Sequence, residues 1–158
     1  MAILTAICRV RVVTVRSNPL TLVGHQLRYA LLEHLGAPDD PGGCHLDLLL
    51  EDGDSCRSWR LEAIPRLNGP AVRATPLPPH RLVWLERESA SISGNRGWAR
   101  RVVAGAMRSS LPADANQPIQ VELEGMAVIG LSEPVVLNIT AEQCRMSTPR
   151  DQSAENGT

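Results

Sequence analysis

Two of the chain's four histidines stand close in sequence to a pair of carboxylates. His34 follows Glu33 at the end of an apolar run. After a turn-rich loop, His45-Leu46-Asp47 opens a second run that closes at Glu51. In an extended strand alternate side chains share a face. His45, Asp47, Leu49 and Glu51 therefore point one way, and Leu46, Leu48 and Leu50 the other. The three leucines mark the core side and present His45 and Asp47 together on the opposite face. Imidazole nitrogen with carboxylate oxygen suits Mn, Fe or Zn, and His34 is placed to be a third ligand. The bland alternative is a pair of polar residues on a solvated face.

The elements that must position these residues are short strands. Leu27–Leu32 reads as a strand running into Glu33-His34. The stretch 35–43 is dense in turn residues, with Asp39 and Asp40 as turn formers. The strand 45–51 meets Asp52-Gly53, a strong hairpin signal, and Cys56–Leu61 is the return strand. A hairpin loop of two or four residues puts Cys56, Ser58 and Arg60 on the His45/Asp47 side and sends Trp59 and Leu61 to the leucine core; a three-residue loop reverses this. The first register leaves Arg60 beside the site, where an arginine pairs with phosphate. Residues 63–79 hold five prolines and read as a wandering connection. His80–Glu86 reads as a strand and 91–97 as a tight turn. Trp98–Met107 is open between helix and strand. Ile119–Glu124, Met126–Leu131 and Val135–Thr140 read as further strands.

The pattern predicts an all-β fold, a compact barrel of about seven to nine short strands with little helix. Residues 1–26 are an N-terminal extension, with a possible edge strand over 9–16 and His25 as an exposed loop histidine. Residues 27–147 are the barrel domain, and 148–158 a disordered tail. At 158 residues and a net charge of -1, one domain with a sizeable core is expected and no global basic signature exists. All 16 basic residues are arginine. The absence of lysine excludes a Walker phosphate loop, a Schiff base and a lysyl-adenylate in this chain. Phenylalanine is absent too, so Tyr29, Trp59, Trp84 and Trp98 are the only aromatic platforms. Cys8, Cys44, Cys56 and Cys144 make no Cys-x-x-Cys pair. The order of charge and apolar residues at the N-terminus does not fit a signal peptide. A cytoplasmic protein with reduced thiols and no membrane partner is expected.

Arg28-Tyr29-Ala30-Leu31-Leu32-Glu33-His34, His45-Leu46-Asp47, Leu50-Glu51 and Arg57-Ser58-Trp59 together resemble the 3'-phosphoesterase domain of bacterial DNA ligase D. Pro79-His80-Arg81-Leu82 and Ser93-Gly94-Asn95-Arg96-Gly97 look like the short stand-alone members of that family. The resemblance spans about residues 27–108. It implies a β-barrel acting on DNA or RNA 3' ends with Mn²⁺ or another divalent metal, held at positions that fall here on His34, His45 and Asp47. It also implies a phosphate-side histidine that falls on His80. Such proteins trim a 3'-terminal ribonucleotide or remove a 3'-phosphate for a separate ligase or polymerase in repair. Three positions depart from the family pattern: Leu49 where an arginine is expected, Trp84 where a tyrosine is, and Ala63 where a lysine is. The loop between the ligand histidines is also longer. Arg60, Arg73 or Arg81 are candidates to replace the lost phosphate contacts.

The leading reading is thus a metal-dependent phosphoesterase, with His80 and Arg60 as catalytic residues and Glu33 and Glu51 orienting ligand histidines. A second reading is a barrel that binds metal or nucleic-acid ends without turnover. A third is an Fe(II) oxygenase using His45, Asp47 and His80 as two histidines and a carboxylate.

Overall fold

The structure is a computed structural model that describes residues 11–13, 21–38, 40 and 42–150, with side chains from Gly24 onward. Most of the possible strand 9–16, Cys8, the turn residue Asp39 and tail residues 151–158 lie outside the described residues. The described residues form eleven strands: β1 (Arg11–Val13), β2 (Thr21–Val23), β3 (Leu27–Leu35), β4 (Cys44–Asp52), β5 (Ser55–Leu61), β6 (Val72–Arg81), β7 (Ser89–Ser91), β8 (Trp98–Arg108), β9 (Ile119–Leu123), β10 (Val135–Thr140) and β11 (Gln143–Ser147). β1 and β2 pair with each other. The other nine form one antiparallel sheet in the order β3-β4-β5-β6-β11-β10-β9-β8-β7. β3 also pairs with β8, so the order returns on itself as a ring of eight strands with β7 on its flank. The all-β expectation holds. Among the described residues no helix is long and apolar enough to cross a membrane.

The period of two in β4 decides both faces of the sheet. Leu48 and Leu50 enter the larger core with Tyr29, Leu31, Trp59, Leu61, Met107, Val121, Leu123, Leu137 and Met146. Each fully buried leucine there contributes about 2–3 kcal/mol. The opposite face carries a smaller cluster of Ala30, Leu32, Leu49, Cys56, Trp84, Leu85 and Ala99. Apolar packing on both faces explains why Tyr29–Leu32 is an unbroken apolar run. β4 and β5 pair from Asp52↔Ser55 to Leu46↔Leu61, leaving Gly53 and Asp54 as the two-residue loop. Gly53, at φ 67°, takes the left-handed conformation such a turn demands. The two-residue register places Arg60 opposite Asp47, and Trp59 and Leu61 in the larger core.

Several assignments differ from the sequence expectation. The second part of the supposed connection 63–79, from Val72 on, is the strand β6. Pro76, Pro78 and Pro79 are tolerated because β6 pairs with β11 only at Val72 and Arg73, so among the described residues the proline segment has a strand neighbour on one edge alone. Leu82–Leu85 is a 3₁₀ turn, as is Ala127–Ile129; neither is a strand. Trp98–Met107 is wholly strand, because β8 must bridge β3 to both β7 and β9. β7 and β11 were not anticipated.

Candidate metal centre

β3 and β4 set His34 opposite His45, and β4 and β5 set Asp47 opposite Arg60. His34, His45 and Asp47 each bring one ligand atom to within 4.8 Å of the others. The two imidazoles meet edge to face, with ring centres 4.5 Å apart. Asp47 Oδ1 lies 3.5 Å from His45 Nε2, and Asp47 Oδ2 lies 3.9 Å from His34 Nδ1. His80 approaches from β6, its Nε2 4.0 Å from Asp47 Oδ2.

The proton positions follow from the partners. A carbonyl or carboxylate oxygen only accepts, so the histidine nitrogen facing one must carry the hydrogen. His34 Nε2–H donates to the Arg96 carbonyl (2.6 Å), and His45 Nδ1–H donates to Asp40 Oδ2 (2.8 Å). That leaves lone pairs on His34 Nδ1 and His45 Nε2, the two atoms turned toward Asp47. His45 Nε2 accepts a hydrogen bond from Arg60 Nη2 (3.2 Å). Asp47 is buried, and its Oδ1 has no hydrogen-bond partner among the described residues. A buried acceptor without a donor is costly. Two imidazole nitrogens and a carboxylate oxygen converging on one another fit a cation, for which the Arg60 N–H is the competing partner at His45 Nε2. These residues form a group that can hold a metal ion.

The group sits in the wall of a cleft of about 600 Å³ whose lining includes Arg60, His80, Arg81, Trp84, Arg87 and Arg96. Arg87 stacks on Trp84, 5.1 Å from the ring centre. Ser58 donates to the Cys56 carbonyl, so its oxygen is free to accept His80 Nδ1–H (2.9 Å), which turns Nε2 toward Asp47. Burial lowers the His80 pKa, opposed by Asp47 and the Pro78 carbonyl. Arg73 borders a neighbouring hollow of about 190 Å³ that shares His45 and Arg60 with the cleft. Leu49 is fully buried within the smaller apolar cluster.

The carboxylates expected to orient the ligand histidines do something else. Glu33 pairs with Arg100 and accepts from Cys44 Sγ. In register it faces Leu46 and Arg100, across the strand from His34's side. Glu51 binds Arg28 and His25, so His25 is more than an exposed loop histidine. The carboxylate that does reach the far nitrogen of one of these histidines is Asp40, which the sequence marked only as a turn former. It does form the turn, accepting Gly42 N–H at Oδ1 while Oδ2 holds His45. No periodicity links it to His45; its place in a Gly- and Pro-rich loop was the sole sign. The Arg96 carbonyl was equally hidden, since a main-chain acceptor leaves no residue signature. No family model and no curated protein matches the chain.

Proposed function

We propose that the protein is a metal-dependent phosphoesterase acting at nucleic-acid 3' ends. The observation that carries this is the convergence of His34 Nδ1, His45 Nε2 and the Asp47 carboxylate in the wall of a cleft edged by arginines. The resemblance of residues 27–108 to the ligase D phosphoesterase domain supports the substrate class. His34, His45 and Asp47 would hold a divalent cation such as Mn²⁺, which would supply Lewis-acid polarisation of a phosphoryl oxygen. With His45 Nε2 serving as a ligand, the Arg60 guanidinium that donates to it would be left to bind phosphoryl oxygens as a charge-assisted clamp. His80 handles the proton at Nε2. Hydrolysis breaks the bond from phosphorus to the leaving oxygen and forms a new one to water, and the leaving oxygen takes up the proton that water loses.

The test incubates the protein and Mn²⁺ with labelled primers ending in one ribonucleotide or a 3'-phosphate. Shortened or dephosphorylated primer is expected, and none with His45→Ala or Asp47→Ala. His80→Ala is expected to slow turnover about 10²–10⁴-fold while Mn²⁺ affinity stays native. Burial of Leu49, at the position where the family carries an arginine, favours the second reading, a protein that binds metal or 3' ends without turnover. Mn²⁺-dependent primer binding with no product would select it.

A further inference from the structure

We infer that Asp40 is a positioning residue that makes His45 an Nε2 ligand, while the 92–97 loop, through the Arg96 carbonyl, makes His34 an Nδ1 ligand. This rests on His34, His45 and Asp47 holding a metal, and not on what reaction follows.

The Asp40 carboxylate divides its work. Oδ1 closes the turn through Gly42 N–H at 2.9 Å, and Oδ2 takes the His45 Nδ1 proton at 2.8 Å. The turn is further fastened by Gly43 N–H to the Asp40 carbonyl and Gly36 N–H to the Gly43 carbonyl. The oxygen that holds the ring is therefore itself held by main chain. An anionic acceptor on Nδ1 fixes the tautomer, fixes the ring plane and raises the basicity of Nε2, the three properties a metal ligand needs from its surroundings. On the other side of the group the Arg96 carbonyl, 2.6 Å from His34 Nε2, imposes the opposite tautomer. The outcome is a mixed donor set, one Nδ1 and one Nε2, dictated by two loops and not by the strands that carry the rings.

Asp40→Asn separates this role from turn formation. Asparagine makes the same side-chain turn as aspartate, so its amide oxygen can still accept Gly42 N–H. Its amide NH₂, however, donates to Nδ1 and drives the His45 proton to Nε2, where it blocks the metal. Calorimetric titration with Mn²⁺ alone is expected to show an affinity about 10–100-fold weaker than native, with the native β-sheet circular dichroism retained in the absence of metal. Long-range ¹H–¹⁵N correlation of imidazole-labelled, metal-free native protein is expected to show His45 protonated at Nδ1 and His34 at Nε2. In Asp40→Asn, His45 is expected to be protonated at Nε2.

Native affinity in Asp40→Asn would reduce Asp40 to a turn former and overturn the inference. So would an Nε2-protonated His45 in the native spectrum, which needs no variant, or a native protein that takes up neither Mn²⁺ nor Zn²⁺. A protein that shows the expected tautomers and the Asp40→Asn loss yet releases no product upholds the positioning role. In that event only the phosphoesterase reading fails.

Discussion

Glu51 stays charged in a place that disfavours charge. Its side chain is 3 % exposed, and burial pushes its pKa up. Hydrogen bonds from Arg28 and His25 outweigh that push and leave the pKa below the ordinary glutamate value. A depressed carboxylate pKa adds stability that is present above the unfolded-state value and is lost as pH falls through the folded one. Glu51→Gln should therefore cost about 1.5–3 kcal/mol at neutral pH, since a neutral amide replaces the carboxylate that Arg28 and His25 share and leaves Arg28 to the exposed Glu86. The difference should shrink as pH drops below the usual glutamate range, which urea unfolding of both proteins at pH 7 and pH 3 would show. Leu49 presents the reverse case. An arginine at that position is what the resemblance leads one to expect, yet the site here is fully buried among Leu32, Cys56, Trp84 and Leu85. Leu49→Arg should not restore a phosphate clamp. It should cost about 3–5 kcal/mol by placing an unpaired charge in an apolar cluster, measurable as a lower denaturant midpoint.

The elements that carry the ligands are rigid strands, but the ligand rings are aimed by two loops joined at one contact. Gly97 packs against Leu35 and Gly36 so closely that a Cβ at Gly97 would overlap the Leu35 carbonyl, and its φ of 92° disfavours any side chain. Gly97→Ala must push the 92–97 loop off the end of β3, carrying away the Arg96 carbonyl that holds His34. Lower thermal stability and weaker Mn²⁺ binding are expected together, whereas Gly130→Ala, at φ 87° with open space around it, should lower stability alone. This division between strands and loops also explains what the sequence disclosed. Alternation in β4 and the Asp52-Gly53 turn gave the register, and the register alone brings His45, Asp47 and Arg60 to one face. The prolines of β6 hid a strand because a sequence does not say which edge goes unpaired. Met126–Leu131 and Leu82–Leu85 looked like strands because an apolar run of that length fits a 3₁₀ turn packed on a sheet equally well. Asp40 was legible as a turn residue and illegible as a histidine's partner, since only the fold brings its second oxygen to His45.

Across the whole molecule charge nearly cancels, with 16 basic against 17 acidic residues, so attraction for a polyanion has to come from how the charges are distributed. Among the described residues the cleft lining holds Arg60, Arg81, Arg87 and Arg96 against one acid, Asp47. Arg96 is engaged by Ser93 through its guanidinium. Arg81 and Arg87 are exposed, with Arg87 steadied on Trp84, and Arg60 points inward beside His45. Under the proposed function, these three guanidinium groups would meet phosphates along one path into the site. Each phosphate neutralised on a single strand releases counterions, so three contacts give a log–log salt slope of about -2 for oligonucleotide binding. Removing two of them should lower the slope to about -0.7. Fluorescence anisotropy of a single-stranded oligonucleotide across a salt series would read both values, for the native protein and for the Arg81→Ala/Arg87→Ala variant. Neither substitution touches the His34, His45 and Asp47 group, so Mn²⁺ affinity should not change. A slope that stays near -2 in the variant would mean that the strand tracks a different surface, with Arg73 and the hollow beside Arg60 the next place to look.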